Sequence, residues 1–302
     1  MTKLSVVISA FNEEKKIEDC LKSVSFADEI IVVDGSSTDK TVQTAQKYTS
    51  KIFKRPNNPM LNVNKNFGFS KAIGDWILSL DADERVTPEL KDEIESRIKN
   101  QESGVNGYWI PRKNIIFGKC IEHTGWYPDN QLRLFKKGKG KFPAEHVHEM
   151  IKIEGEAGHF KNNIIHYNYE TIFQFVQKLI NIYGPNEAEQ LLKNGYKFNW
   201  HDAIRFPLKE FLSRFFAREG YKDGFHGLIL SMLMAFYHFI VFANIWERLG
   251  FKEVKDENFM EESEKEFKKS YKDLSFWVSA NKLEKIKNPI MKQLHKLIYK
   301  FR

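Results

Sequence analysis

Asp75-Trp76-Ile77-Leu78-Ser79-Leu80-Asp81-Ala82-Asp83-Glu84 is an apolar run that ends in a cluster of carboxylates. Trp76 to Leu80 has the short, almost continuous apolar pattern of a strand buried on both faces. Gly74 reads as the stop of a preceding helix. Thr87 and Pro88 read as the N-cap and first residue of a following one. Asp81 and Asp83 are therefore expected at the carboxyl end of a central strand, where open α/β sheets bind ligands. Residues i and i+2 of an extended segment point to the same side. Two carboxylates held that close repel unless a proton or a cation lies between them. A hard divalent ion with oxygen ligands, Mg2+ or Mn2+, is the matching third party, and it takes its remaining ligands from substrate phosphates.

Working outward toward the N-terminus, the pattern alternates at short intervals. Leu4–Ser9 reads as a strand, and Ile17, Leu21 and Val24 mark the inner face of a helix. Glu29–Val33 reads as a strand ending in the polar turn Asp34-Gly35-Ser36-Ser37-Thr38-Asp39. Thr38 is the expected N-cap of a helix with Val42, Ala45 and Tyr48 turned inward. Lys51–Lys54 is a short strand, and residues 62–73 form a helix carrying Lys65 and Asn66. This β-α-β order predicts an α/β fold, a mostly parallel sheet with helices on both faces. The turns at Asn12-Glu13, Asp34 and Asp81-Asp83 then lie along one sheet edge. No G-x-G-x-x-G and no P-loop follows the first strand, which argues against a dinucleotide site or a P-loop NTPase. Carboxylates at Glu13 and Asp34 suit ribose hydroxyls and a base edge, and Lys65 suits phosphate charge.

Four motifs in this order, Ser-Val-Val-Ile-Ser-Ala-Phe-Asn-Glu-Glu (5–14), Ile-Ile-Val-Val-Asp-Gly-Ser-Ser-Thr-Asp-Lys-Thr (30–41), Asn-Lys-Asn-Phe-Gly (64–68) and Leu-Asp-Ala-Asp-Glu (80–84), resemble the family 2 glycosyltransferases of GT-A fold. The resemblance implies that Ser9, Phe11, Glu13, Asp34, Lys65 and Asp81 hold the nucleotide sugar. It implies that Asp81 and Asp83 meet the ribose and the metal-bound diphosphate. It also implies inversion at the anomeric carbon by direct displacement.

The acceptor side is expected between residues 104 and 170. Inverting transfer needs a carboxylate base beside the acceptor hydroxyl. Glu149 and Asp129 are the candidates, with Glu149 preferred because it follows an apolar-flanked start beside His146 and His148. His148 is a further candidate metal ligand. Arg133 is placed to stabilise charge on the departing diphosphate. Asp-Asn-Gln-Leu-Arg-Leu-Phe (129–135), Val-His-Glu (147–149) and Ile-His-Tyr (165–167) resemble the WaaE-type lipopolysaccharide core glucosyltransferase subgroup. The Glu-Asp and Gln-x-x-Arg-Trp forms of the wider family are not present.

From Tyr169 the pattern is helical, with an expected break at Gly184-Pro185. Residues 224–246 hold no Asp, Glu, Lys or Arg. That length fits a buried helix or hairpin, an interfacial helix or a membrane span. Residues 252–287 read as a charged, solvated helical linker. Residues 290–302 read as a basic amphipathic helix suited to anionic lipid or a second subunit. The expected division is a GT-A domain over 1–168, a helical region over 169–250, and a charged linker with its terminal helix over 251–302.

The chain has 302 residues, a formal net charge of +7 and two cysteines. Its basic residues are interleaved with acidic ones, which gives no nucleic-acid signature. The few cysteines and the direct entry into the first strand lead to an expectation of a cytoplasmic protein, peripheral on the inner face of the cell membrane. The expected activity is metal-dependent inverting transfer of a sugar from a nucleoside diphosphate donor, UDP-linked in the first instance. The acceptor is a hydroxyl of a lipid- or polysaccharide-linked molecule, with homo-oligomers formed through the C-terminal helices. The competing expectations are a polyprenyl-phosphate glycosyltransferase, a sugar nucleotidyltransferase and a non-catalytic membrane scaffold.

Overall fold

The computed structural model describes residues 2–57, 61–100, 102–144, 149–286, 288 and 291. The chain forms two compact units. The first holds residues 1–120 and 126–168, and the second holds 121–125 and 169–302.

The first unit runs β1 (Leu4–Ala10), α1 (Ile17–Ser23), β2 (Glu29–Asp34), α2 (Thr41–Ala45), β3 (Ile52–Lys54), α3 (Leu61–Lys71), β4 (Trp76–Asp81), β5 (Glu84–Val86) and α4 (Pro88–Lys99). It continues with β6 (Val105–Ile116), β7 (Lys119–Ile121), β8 (Asp129–Lys136), β9 (Gly140–Lys141), β10 (Lys152–Ile153), β11 (Glu156–His159) and β12 (Ile164–Tyr169). The large sheet has the order β3-β2-β1-β4-β8-β6-β12-β5. Its β3-β2-β1-β4 half is parallel. From β4 onward the sheet turns antiparallel, because β8 enters beside β4 with Leu78 opposite Leu134. The sheet is therefore mixed. The strands after residue 105 follow one another without a helix between them, and β8 pairs antiparallel with both β4 and β6, while β11 joins the edge of β6 in parallel.

Alternation along the central strands feeds two cores. Leu4, Val6 and Ile8 pack with Ile17 and Leu21 of α1, Ala45 of α2 and Leu90 and Ile94 of α4. Val7, Ile31, Val33 and Ile77 face the other side and meet Phe69 of α3 and Ala72 just after it. Gly68 lets α3 settle onto that face: a Cβ there would lie 2.4 Å from Val7 Cγ1 and 2.8 Å from Val33 Cγ2. Register sets the functional edge, with Ser9 opposite Asp81 and Ala10 opposite Asp34.

Thr87 caps α4, its hydroxyl accepting from the Leu90 amide, with Pro88 following. Thr38 does not cap α2, which starts at Thr41. The Thr38 amide instead donates to Asn12 Oδ1 at 2.9 Å, and Asp39 Oδ1 takes the Thr41 amide. Cross-bonding to the β1 turn draws the polar loop out by two residues, to an N-cap at Lys40.

In the second unit, α5 (Ile172–Lys178) passes through a π-helical turn at Leu179–Tyr183 into α6 (Gly184–Lys193). The expected break at Gly184-Pro185 is absent. The widened turn accommodates a proline that lacks an N–H and would crowd a regular helix. The rest of this unit is α7 (Asp202–Leu212), α8 (Phe225–Arg248) and α9 (Phe259–Lys285). α8 buries Leu230, Met234, Tyr237, Val241 and Ile245, while Phe225, Met232, Phe236, Phe239 and Trp246 are exposed. Among the described residues it is the one helix long and apolar enough to cross a membrane. α9 is not a solvated linker. Arg205 of α7 holds Glu266 with two bonds of 2.6 and 2.5 Å, and Trp200 stacks on Phe259. The terminal amphipathic helix expected over 290–302 lies, apart from Met291, outside the described residues.

Candidate functional site

At the tip of β4, Asp81 accepts from Lys65 Nζ of α3 at 2.6 Å and from Arg133 Nη2 of β8 at 2.9 Å. The same Arg133 nitrogen reaches Glu84 Oε1 at 2.6 Å, and Arg112 Nη1 of β6 reaches that oxygen at 2.9 Å. Arg112 then clamps Asp129 Oδ2 through Nη2 at 2.5 Å and Nε at 2.9 Å. Charges thus alternate along Lys65, Asp81, Arg133, Glu84, Arg112 and Asp129. Alternation is what allows Glu84 and Arg133 to be buried as ions. Burial by itself lifts the Asp81 carboxyl. Lys65 and Arg133 outweigh burial and hold Asp81 well below the usual carboxylate range. Burial also opposes the charge on Arg133, but Glu84 and Asp81 overcome it and raise that guanidinium above its ordinary value.

Asp83 sits one turn beyond. Its Oδ2 lies 3.4 Å from His166 Nε2 of β12, while its Oδ1 is buried and makes no hydrogen bond among the described residues. Burial raises the Asp83 carboxyl, yet the bond and charge of His166 bring it below the ordinary value. Arg85 braces this turn from behind, donating to the carbonyls of Ala82 and Glu84 at 2.9 and 2.8 Å. It also donates to the Lys16 carbonyl. A carboxylate with one oxygen orphaned and the other beside an imidazole nitrogen fits a divalent cation such as Mg2+ or Mn2+. Among the described residues no three His, Cys, Asp or Glu side chains converge on one cation position. The protein share is thus the pair Asp83 and His166, with room for ligands from a substrate. Asp81, named with Asp83 as a metal ligand from the sequence, is occupied by Lys65 and Arg133. His148 lies outside the described residues, as does His146.

The neighbouring edge carries the other residues read from the sequence. Ser9, opposite Asp81, has a buried hydroxyl oxygen with no bond among the described residues. Phe11 is 39% exposed at the mouth of the first turn. The Glu13 amide donates to Thr41 Oγ1 at 2.8 Å. Asp34 is fully buried and receives the Ser37 amide on both oxygens, at 3.3 and 3.1 Å. Glu149 Oε2 accepts from the Ala144 amide at 2.7 Å and from Asn62 Nδ2 at 3.2 Å. Asn62 stands one turn before Lys65 on α3, so Glu149 is tied to the helix that reaches Asp81.

Asp129 is not placed to act as a base. Arg112, Gln131 and Asn114 all donate to it. Burial raises its carboxyl, but Arg112 leads the groups that pull it below the usual range, which makes it a poor proton acceptor. The sequence reading missed Glu84, Arg112, Asn114 and His166 as parts of this site. Glu84 adjoined the two aspartates and could have been flagged by its position. His166 stood in a recognised tripeptide without a role, and nothing in its spacing from Asp83 announces contact.

Residues 5–155 match the model of the glycosyl transferase family 2. The chain is 30% identical over 258 residues to an uncharacterised glycosyltransferase of Rickettsia typhi, covering 82% of this chain and 88% of that one. It is 27% identical over 261 residues to the lipopolysaccharide core biosynthesis glycosyltransferase LpsC of Rhizobium meliloti, covering 82% and 94%. Among solved structures it is similar to TarS 1–349 of Staphylococcus aureus, with 17% identity, a TM-score of 0.42, and 84% and 94% of the two chains covered. It is also similar to glucosyl-3-phosphoglycerate synthase of Mycobacterium tuberculosis, with 23% identity, a TM-score of 0.32, and 37% and 44% covered.

Proposed function

The chain belongs to glycosyl transferase family 2 and has the α/β GT-A fold, and we propose that it moves a sugar from a nucleoside diphosphate donor to a hydroxyl of a lipid- or polysaccharide-linked acceptor. UDP is the preferred nucleotide of this reading and Mg2+ or Mn2+ its cofactor. The single observation carrying the reading is the Asp83 carboxylate, with Oδ1 buried and unbonded among the described residues and Oδ2 3.4 Å from His166 Nε2, beside the Lys65 and Arg133 cations that meet Asp81. Likeness to LpsC supports an acceptor belonging to lipopolysaccharide core or a related surface glycan.

Asp34 and Phe11 take the nucleoside, the aromatic ring covering the base and the carboxylate accepting from its polar edge or ribose. Lys65 and Arg133 take the diphosphate, leaving their bonds to Asp81 as a stronger anion arrives. Asp81 is thereby freed to accept from the donor's hydroxyls. Asp83 and His166 would hold the cation, which when bound supplies positive charge against the leaving diphosphate. The acceptor oxygen attacks the anomeric carbon from the face opposite the diphosphate. A C–O bond forms as the old one breaks, and the bond electrons leave on the diphosphate. Glu149 takes the acceptor's proton, and Lys65 and Arg133 meet the charge that builds on the departing oxygen. Exposed Phe225, Met232, Phe236, Phe239 and Trp246 on α8 support placing the second unit on the inner membrane surface, where such acceptors reside.

The test is donor turnover across UDP-, GDP- and dTDP-sugars, with and without Mn2+. Asp83→Ala should abolish turnover with an unchanged melting temperature. Glu149→Gln should lower turnover about 10²–10⁴-fold, the usual worth of a positioned base. Full activity of Asp83→Ala would overturn the cation reading. Full activity of Glu149→Gln would point to a phosphate acceptor, which brings no proton to remove.

A further inference from the structure

Asn114 lies fully buried on β6, between β8 and β12. Its Nδ2 donates to the Trp126 carbonyl at 2.9 Å and to Asp129 Oδ2 at 3.3 Å. Both are acceptors, so the amide nitrogen must face them and the amide oxygen must face the other way. There Oδ1 receives Asn168 Nδ2 at 3.3 Å and meets His166 Nδ1 at 2.7 Å. An amide oxygen only accepts, so the hydrogen of that short bond belongs to His166 Nδ1. In the neutral ring, the form that can ligate a metal, the lone pair is then on Nε2, the nitrogen 3.4 Å from Asp83 Oδ2. A cation bound between the two takes that lone pair and displaces any hydrogen that Nε2 shares with Asp83.

We propose that Asn114 is a positioning residue: it locks His166 in the Nδ1–H tautomer and thereby presents Nε2, together with Asp83, as a preformed pair of ligands for a divalent cation. The inference rests on the reading of Asp83 and His166 as the cation's protein ligands. Metal-bound histidines are commonly oriented in this way by a hydrogen bond on the second ring nitrogen. Here the orienting group has no freedom of its own, because the backbone carbonyl of Trp126 and the carboxylate of Asp129 prevent the amide from turning over. Asp129 is in turn fixed by Arg112. A residue of β6 thus sets the tautomer of a histidine on β12.

The experiment is long-range proton–nitrogen NMR of the metal-free full-length protein labelled in histidine, with His166 assigned by its loss in His166→Gln. Recorded well above the ordinary imidazole value of about 6.5, where the ring is neutral, wild type should show a protonated Nδ1 and a bare Nε2. Asn114→Leu, and Asn114→Ser should the larger residue fail to fold, should shift His166 toward the other tautomer or a mixture. These variants should weaken Mn2+ binding, read by electron paramagnetic resonance without donor, by about 10–100-fold, the usual effect of removing such a support. A protonated Nε2 in wild type, or an unchanged tautomer in both variants, overturns the proposal. If the tautomer behaves as stated but His166→Gln binds Mn2+ as wild type does, the cation reading falls instead, and the ligand half of the proposal falls with it.

Discussion

Glu84 has no exposed surface and takes Arg133 and Arg112 on one oxygen and the Asp81 amide on the other. Its charge is matched on both sides, so removing it strands two buried guanidinium groups. Glu84→Gln should cost about 3–5 kcal/mol of stability, the range for breaking a buried ion pair, measured by urea unfolding. A loss within the surface-pair range, under about 1 kcal/mol, would mean the alternating chain is not holding the sheet tip. Acid should act on the same residues. Asp81 and Asp129 have carboxyls depressed in the folded state, chiefly by Lys65 with Arg133 and by Arg112, against the pull of burial. Their stabilisation is therefore complete above the unfolded carboxylate value of about 4 and is lost as pH falls below it. Unfolding midpoints should be flat through these groups from pH 7 to 5 and then drop, and Asp129→Asn should blunt that drop. At this scale the sequence showed Asp81 and Asp83 because period-two spacing is local. It hid His166 because that contact crosses 83 positions and depends on β12 pairing with β5, where His166 stands opposite Glu84. It hid the commitment of Asp129 because Arg112 arrives from another strand.

Gly68 illustrates what an element needs to bring a side chain to the edge. α3 carries Lys65 and Asn62, and it comes close enough to the sheet only because position 68 has no Cβ. Gly68→Ala should cost about 1–3 kcal/mol through overpacking against Val7 and Val33, although alanine is the better helix former. The same shift should raise the KM for donor more than it lowers kcat, since Lys65 moves with the helix. An unchanged melting temperature and KM would refute the packing argument. Helix ends were legible where capping chemistry was local, as at Thr87 and Pro88. They were not legible at Thr38, where Asn12 from another turn captured the loop. Nor did Gly184-Pro185 break its helix, because a π-helical turn absorbed the proline. The parallel half of the sheet followed from alternating strands and helices. The antiparallel half did not, because pairing of β8 with β4 is set by tertiary contact alone.

The two units are interleaved along the chain, since residues 121–125 belong with the C-terminal helices. Asp223 holds that segment, accepting the amides of Glu122 and His123 at 3.2 and 3.0 Å and the Thr124 hydroxyl at 2.8 Å. Asp223→Ala leaves the buried Thr124 hydroxyl and two part-buried amides without the carboxylate and should cost about 1–3 kcal/mol. Limited proteolysis of the folded variant should gain a cut near residues 121–125, and a digestion pattern identical to wild type would argue against the staple. No composition shift marks those five residues, so the domain division read from the sequence ran straight past them.

That staple also has a clock. Glu122 and Asp223 stand 101 residues apart, so at about 5–20 residues per second a ribosome finishes the anchor roughly 5–20 s after the segment it must catch. During that interval the nascent strands on either side have to form with their connecting loop untethered. Slow or paused translation between the two points would lengthen the time in which the growing chain is exposed to chaperones and proteases.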